Sequence, residues 1–539
     1  MKRLAVVLAT VSAAIVLILA SRVDQGFYSD PALQMKTVLQ YLAGVSSRPN
    51  DVVEPGPADV SRDVHQTMVV WAPGTPLAFL PFVRAGLTPA RAARAVAAIA
   101  LLAGSIGWVL WFARFDLPAP ATIAFAIVVP WMRFASNSLF LYSPEVLVFA
   151  CVPWVLLAAL AGERVTRAPM LAAAAIGALA GLLYVVKFSA TFVTAGLFLW
   201  FAWRTARNGE TAVRRVVRIA VFTAAAGIPI VMLSAMNQRA SGSANLVLAS
   251  LGGHWRWVYL VHAVGSTALT AADLDSLLAF LLMHPTHGVT QDVFWLSLAG
   301  LPGGVLLLLL AARGTQSGAH AELARLLLLA SLGCILIVWT LSVTVSIEAR
   351  HLFSAGFAML PLGLAEGWAW SRTAGAPVRR LIAAAGCVFV AAPLAYGVVS
   401  VAAKVRRYPA NYRPAASGIY NPLLAPHDPA SVVDALRRIY DPATDIWYVT
   451  EPLTALDLPG RMIVRHVDFT KAEDLSRERF LTLQRVRVHA LLPPRFERNG
   501  KAAAVRDSFR QATGWSHAAI AGSEYDVWTT VLEPALAGR

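Results

Sequence analysis

Ionisable side chains are scarce in the first four hundred residues, and the few set among apolar runs are the first candidates for chemistry. A charge kept at membrane depth is costly, so it is a functional candidate by default. Asp30 opens FYSDPALQMKTVLQYL, Glu145 lies in NSLFLYSPEVLVF, and Lys187 sits in GLLYVVKFSATF. Arg350 and His351 fall in VSIEARHLFSAGFAMLPL. Each has a plain structural reading. Asp30 precedes a helical pattern with Pro31 at its first position, which suits an N-cap. Glu145 suits a first-turn carboxylate complementing a helix dipole. Lys187 could snorkel to the surface, and Arg350 and His351 could anchor a helix at the interface. Taken together, two carboxylates and three potential cations suit a reaction with a phosphate-bearing leaving group. The cations would stabilise charge growing on the phosphate, and a carboxylate would take the proton of an acceptor hydroxyl. A lipid-borne substrate would explain a catalyst embedded in the bilayer.

The elements that must position these groups are mostly membrane helices. The chain is 57% hydrophobic and only 14% charged, against about 25% charged residues in an ordinary soluble domain. The deficit is uneven. Residues 1–401 are apolar runs broken by short basic loops, whereas 402–539 carry charges and prolines at globular density. A net charge of +15 would suit nucleic acid, but the arginines are dispersed between apolar segments, with no continuous basic face to track phosphates. That distribution instead writes topology, with Lys and Arg retained in the cytoplasm. Cys151, Cys334 and Cys387 all lie in apolar runs and imply neither a disulfide framework nor a metal site.

Span lengths predict an α-helical polytopic membrane protein of about eleven transmembrane helices followed by an α/β soluble domain. The first span, Leu4 to Ala20, is read as uncleaved, with Lys2 and Arg3 inside. Two large external loops are expected, at about 21–67 and 237–292. The first holds Asp24, Asp30 and Asp63; the second holds His254, His262, His284 and His287. The segment at 69–83, VVWAPGTPLAFLPFV, contains three prolines and is read as lying at the outer interface without crossing. Residues 170–203 are long enough for two short helices with a turn near Lys187. The loop RTARNGETAVRRVVR must be cytoplasmic. Counted through, this parity puts the carboxylates, the cations and the C-terminal domain on the outer side. In that domain Ala430–Tyr440, KAEDLSRERF and KAAAVRDSFRQATG read as helices. DIWYVTE, RMIVRHVDF, RVRVHALL, SHAAIAG and YDVWTTVLE read as strands. No Gly-rich phosphate loop links them, so the domain is expected to pack over or cover the substrate.

The order of segments resembles the GT-C superfamily of integral membrane glycosyltransferases, which includes protein O-mannosyltransferases and lipid A aminoarabinose transferases. The matching pieces are a first span, a loop with an early Asp (FYSDPALQ), and a proline-bearing WAPGTPLAFLPF. ARAARAVAAIALLAGSIGWVLWFARF follows, then SPEVLVF, ALAGLLYVVKFSATFV and EARHLFSAGFAMLPL before a soluble tail. The resemblance implies Asp30 as the catalytic base and Glu145 as the second external carboxylate, which in some members positions substrate or a metal. A divalent cation is therefore left open. It also implies Lys187 and Arg350, with His351 beside it, near a lipid phosphate. Family members often carry paired acids in loop one, whereas here Pro31 follows Asp30, so Asp24 or Asp63 stand as substitutes. The expected activity is transfer of a sugar from a polyprenyl-phosphate donor to a glycan, lipid or protein acceptor at the outer face of the cytoplasmic membrane. The competing class is a transporter or flippase for a lipid-linked or anionic substrate. No self-similarity between halves favours it, and the charges gather at one face.

Overall fold

The computed structural model describes residues 1–165, 167–244, 257–271, 294–341 and 349–534. Among these, eight helices are long and apolar enough to cross a membrane: Lys2–Ala20, Pro89–Phe112, Ala119–Leu139, Glu145–Glu163, Pro169–Val186, Ala212–Ser241, Ala319–Val338 and Ala376–Arg407. Helices also stand at the remaining expected spans, Thr191–Arg207, Phe294–Arg313 and Ala349–Thr373. The chain is a multi-pass membrane protein. The third span is not one continuous helix. It is α-helical to Val128, then turns 3₁₀ at Val129–Trp131, where Pro130 supplies no backbone N–H for a regular helix.

Two differences from expectation concern the loops. The second loop, 237–292, contains an apolar helix, Val258–Ala271, which packs against Phe294–Arg313 and Ala349–Thr373. His262 lies on that helix, though its side chain is outside the described residues, as are His254, His284 and His287. The last long helix also runs to Arg407, six residues into the segment assigned to the tail.

Small residues let the helical body close. A Cβ on Gly177 or Gly181 would lie 2.3 Å from the carbonyl oxygen of Phe222 or Ala226, so Pro169–Val186 meets Ala212–Ser241 backbone to backbone. Buried indoles add directed bonds. Trp108 donates to the Phe149 carbonyl and Trp111 to the Ala358 carbonyl, each at 3.0 Å. Helix Pro89–Phe112 thereby ties Glu145–Glu163 to Ala349–Thr373.

The C-terminal region carries a five-stranded sheet, with β5 (Asp445–Val449), β6 (Met462–Val464), β7 (Val486–Leu492), β8 (Ser516–Ala519) and β9 (Asp526–Leu532) in the order β6-β5-β7-β9-β8. β6, β5 and β7 run parallel, and β9 and β8 complete the sheet antiparallel. Each expected strand stretch holds a strand, though RMIVRHVDF is extended only over Met462–Val464 and turns 3₁₀ at Val467–Phe469, and helices stand at Pro429–Ile439 and Ala472–Arg477. The helix from Lys501 stops at Ser508, before the expected Gly514.

Loop one is ordered, as expected. It forms the two-residue strand β1 (Gly26–Phe27), helix Ser29–Leu42 and an antiparallel hairpin of β2 (Asp51–Pro55) and β3 (Asp63–Thr67). It is built into the C-terminal region. Arg465 reaches Glu54 at 3.1 Å, Arg461 reaches Asp63 at 2.8 Å, and the backbones of Val60 and Leu481 bond at 2.8 Å. Loop one and the sheet region therefore share one end of the helical body.

Candidate active site

A short backbone pairing assembles the site. β1 pairs in parallel with β4 (Leu141–Tyr142), in the register Gly26↔Leu141 and Phe27↔Tyr142. Parallel neighbours lie about 4.8 Å apart. Each strand then runs directly into a helix with an acid in its first turn, Asp30 in Ser29–Leu42 and Glu145 in Glu145–Glu163. The two carboxylates thus come from loops far apart in sequence to neighbouring chains at the same end of the body. Fully buried rings of Phe27, Phe79 and Tyr142 seal the junction, with the Phe79 and Tyr142 centroids 4.7 Å apart.

Asp30 does not cap its helix. The N-cap is Tyr28, the helix begins at Ser29 before Pro31, and the Asp30 carboxylate accepts from the Trp71 indole at 3.2 Å. Trp71 belongs to the proline segment, whose helix, Gly74–Arg84, has 11 residues. At 1.5 Å per residue that is about 16 Å, half of the roughly 30 Å hydrocarbon core. The segment is held at Lys187's end of the body by Gly74. A Cβ there would come within 2.4 Å of the Val186 carbonyl oxygen.

Lys187 ends helix Pro169–Val186, and Phe188–Ala190 makes a 3₁₀ turn into Thr191–Arg207, the break expected near this residue. The side chain does not snorkel. Its ammonium bonds the Glu145 carboxylate, which also accepts from the Ser143 hydroxyl. Glu145 is 3% exposed and Lys187 18%, so the pair is nearly withdrawn from water. Arg350 and His351 lie in the first turn of Ala349–Thr373, with side chains outside the described residues. Arg350 is one turn from Phe353, whose ring packs 6.1 Å from Phe149, itself one turn from Glu145. The helix start is therefore at the same end of the body as the ion pair.

The substitute acids are engaged elsewhere. Asp24 accepts from the Tyr408 hydroxyl, and Asp63 pairs with Arg461. Among the described residues no group of three or more His, Cys, Asp or Glu is arranged to hold a metal ion.

Sequence reasoning missed Trp71, Ser143 and two groups from the C-terminal region. Glu451 accepts from the Ser29 hydroxyl at 3.3 Å and is 4% exposed. Burial pushes its carboxyl up to about 7, with Asp468 adding in the same direction. Burial lowers the His466 imidazole, against the fields of Asp30 and Asp468. Glu451 and His466 read as lying within the strands DIWYVTE and RMIVRHVDF, but the strands end at Val449 and Val464 and both residues stand just past them; the ends of parallel strands are where such sheets bind ligands. That signal was available.

No protein-family model matches the chain, and no curated protein matches it. Solved structures share its architecture, which is the GT-C fold of membrane glycosyltransferases. ArnT from Cupriavidus metallidurans bound to undecaprenyl phosphate is similar over 99% of both chains, with TM-score 0.54 and 11% identity. The apo state of that protein gives TM-score 0.52 and 12% identity over the same shares. Arabinofuranosyltransferase AftD from Mycobacteria is similar at TM-score 0.46 and 13% identity, over 98% of this chain and 42% of its own. At such identities the likeness is one of fold.

Proposed function

We propose that this protein is a membrane glycosyltransferase that moves a sugar from a polyprenyl-phosphate donor to an acceptor hydroxyl at the outer face of the cytoplasmic membrane. The observation that carries the reading is the β1–β4 pairing, which gathers Asp30 and the Glu145–Lys187 pair at one place. In the reaction, the acceptor O–H gives its proton to Asp30 while its oxygen bonds the anomeric carbon. The bond from that carbon to the phosphate oxygen breaks, and polyprenyl phosphate leaves with the electron pair. Lys187 and Arg350 supply positive charge near the departing phosphate. The lipid class is supported by the fold shared with ArnT, which binds undecaprenyl phosphate.

The outer location is supported by charge. Helix Thr191–Arg207 starts beside Lys187 and ends at Arg204 and Arg207, ahead of the Arg-rich turn to Ala212. Basic connections are retained in the cytoplasm, which leaves the opposite end outside.

The test is incubation of purified protein with a panel of radiolabelled polyprenyl-phosphate sugars. Transfer is expected for at least one donor and should vanish in Asp30→Asn with expression and insertion unchanged. Full activity in that variant would remove Asp30 from the mechanism.

A further inference from the structure

The carboxyl ends of β6, β5 and β7 abut the N-terminal turn of the loop-one helix. Val449 pairs with Val464 on one side and Leu491 on the other. Glu451 and His466, each two residues further on, therefore leave the sheet side by side, and Arg495 follows β7. Ser29 donates to Glu451 from above this edge, and its neighbour Asp30 acts on the charge of His466. A second observation marks the same place. Tyr525 is 1% exposed, lies in the field of Glu451, Arg495 and Asp468, and has no hydrogen-bond partner for its hydroxyl among the described residues. A buried hydroxyl is seldom left unpaired, so the edge is built to meet another polar group.

The charges here select what that group belongs to. Arg495 is already paired with Asp468 at 3.0 Å, and burial disfavours the charged form of the His466 imidazole. Asp30 is left uncompensated by either, so a phosphate or carboxylate would be repelled. Uncharged hydroxyls suit the place: carboxylates accept from them, and an imidazole or phenol can donate or accept. A lone Ser or Thr hydroxyl would satisfy only one of these groups.

We propose that this edge is the acceptor subsite, that His466 contacts the acceptor while Glu451 positions the Ser29–Asp30 turn, and that the acceptor is an uncharged saccharide with neighbouring hydroxyls. This rests on the glycosyl-transfer reading above. Binding can be tested without a donor, by saturation-transfer NMR on the full chain in detergent with methyl hexopyranosides and pentofuranosides. Glycerol 1-phosphate and a Ser/Thr-containing peptide serve as comparators. At least one glycoside should saturate, at least fivefold more weakly in His466→Ala, with partial recovery in His466→Gln. Preference for glycerol phosphate or the peptide, equal signal in His466→Ala, or no glycoside signal would overturn the subsite. The role of Glu451 is read from transfer. Glu451→Ala should lower kcat at least tenfold with donor KM within twofold, and Glu451→Gln should restore it; equal losses in both would overturn that role. Absence of transfer in the unaltered protein, with glycoside binding intact, would count against the donor reading alone.

Discussion

The Glu145–Lys187 pair makes the sharpest claim about how the site is held. Glu145 is 3% exposed, and the Lys187 ammonium is bonded to its carboxylate. Lys187→Met would remove that ammonium from a carboxylate in a nearly dry setting, one that also accepts from the Ser143 hydroxyl. Breaking one side of a buried pair costs about 3–5 kcal/mol, whereas replacing both charges with neutral groups of similar volume is often neutral. Lys187 retains 18% exposure, so the lower end, about 3 kcal/mol, is expected. Glu145→Gln strands a lysine that can turn toward water, and should cost about 1–2 kcal/mol. The double variant should lie well above the sum of the singles, with a coupling of at least about 2 kcal/mol. The assay is thermal unfolding in detergent of all four proteins, followed by the fraction remaining monodisperse after heating. Single losses that add to within about 0.5 kcal/mol would refute the argument. The two residues would then be independent at the site.

Three further outcomes follow from particular contacts. Gly74→Ala should destabilise by about 1–3 kcal/mol, read as a lowered Tm, because its Cβ would meet the Val186 carbonyl at 2.4 Å. Arg350→Ala should weaken donor use, seen as a raised KM, a lowered kcat or both, in the polyprenyl-phosphate sugar assay. Glu451 should make stability depend on pH: its carboxyl holds a proton in the folded protein up to about 7, while the unfolded chain releases it near 4.5. Stability should therefore fall as pH rises between those values, by roughly 3 kcal/mol in all, and change no further above pH 7 on this account. Tm measured across that window in the unaltered protein and in Glu451→Gln isolates the contribution. Parallel profiles would show that Glu451 does not titrate there.

Much of the architecture is local and could be read along the chain. Apolar length marks a span because a helix must cover about 30 Å of hydrocarbon with backbone bonds satisfied internally. The spans at Pro89–Phe112 and Glu145–Glu163, the break at Lys187, and the alternation that makes β7 and β9 strands all follow from such short-range patterns. So does the failure of the Gly74–Arg84 segment to reach the length of a span. The acids and the lysine could be listed for the same reason: a charge inside an apolar run is visible without knowing its neighbours.

What those residues do to one another was decided only in three dimensions. β1 and β4 are two residues each, too short to show any period, yet their pairing joins Asp30's loop to Glu145's. Lys187 reads as a free cation in sequence and is bonded to a carboxylate 42 residues away. Glu451 and His466 read as parts of ordinary strands in a covering domain, whereas in three dimensions they stand beyond the strand ends, with Ser29 of the loop-one helix bonded to Glu451. Local pattern follows from bond geometry and solvent. A site, by contrast, depends on which distant surfaces bury one another, and the site proposed for this chain draws on loop one, two helix starts and the edge of a sheet.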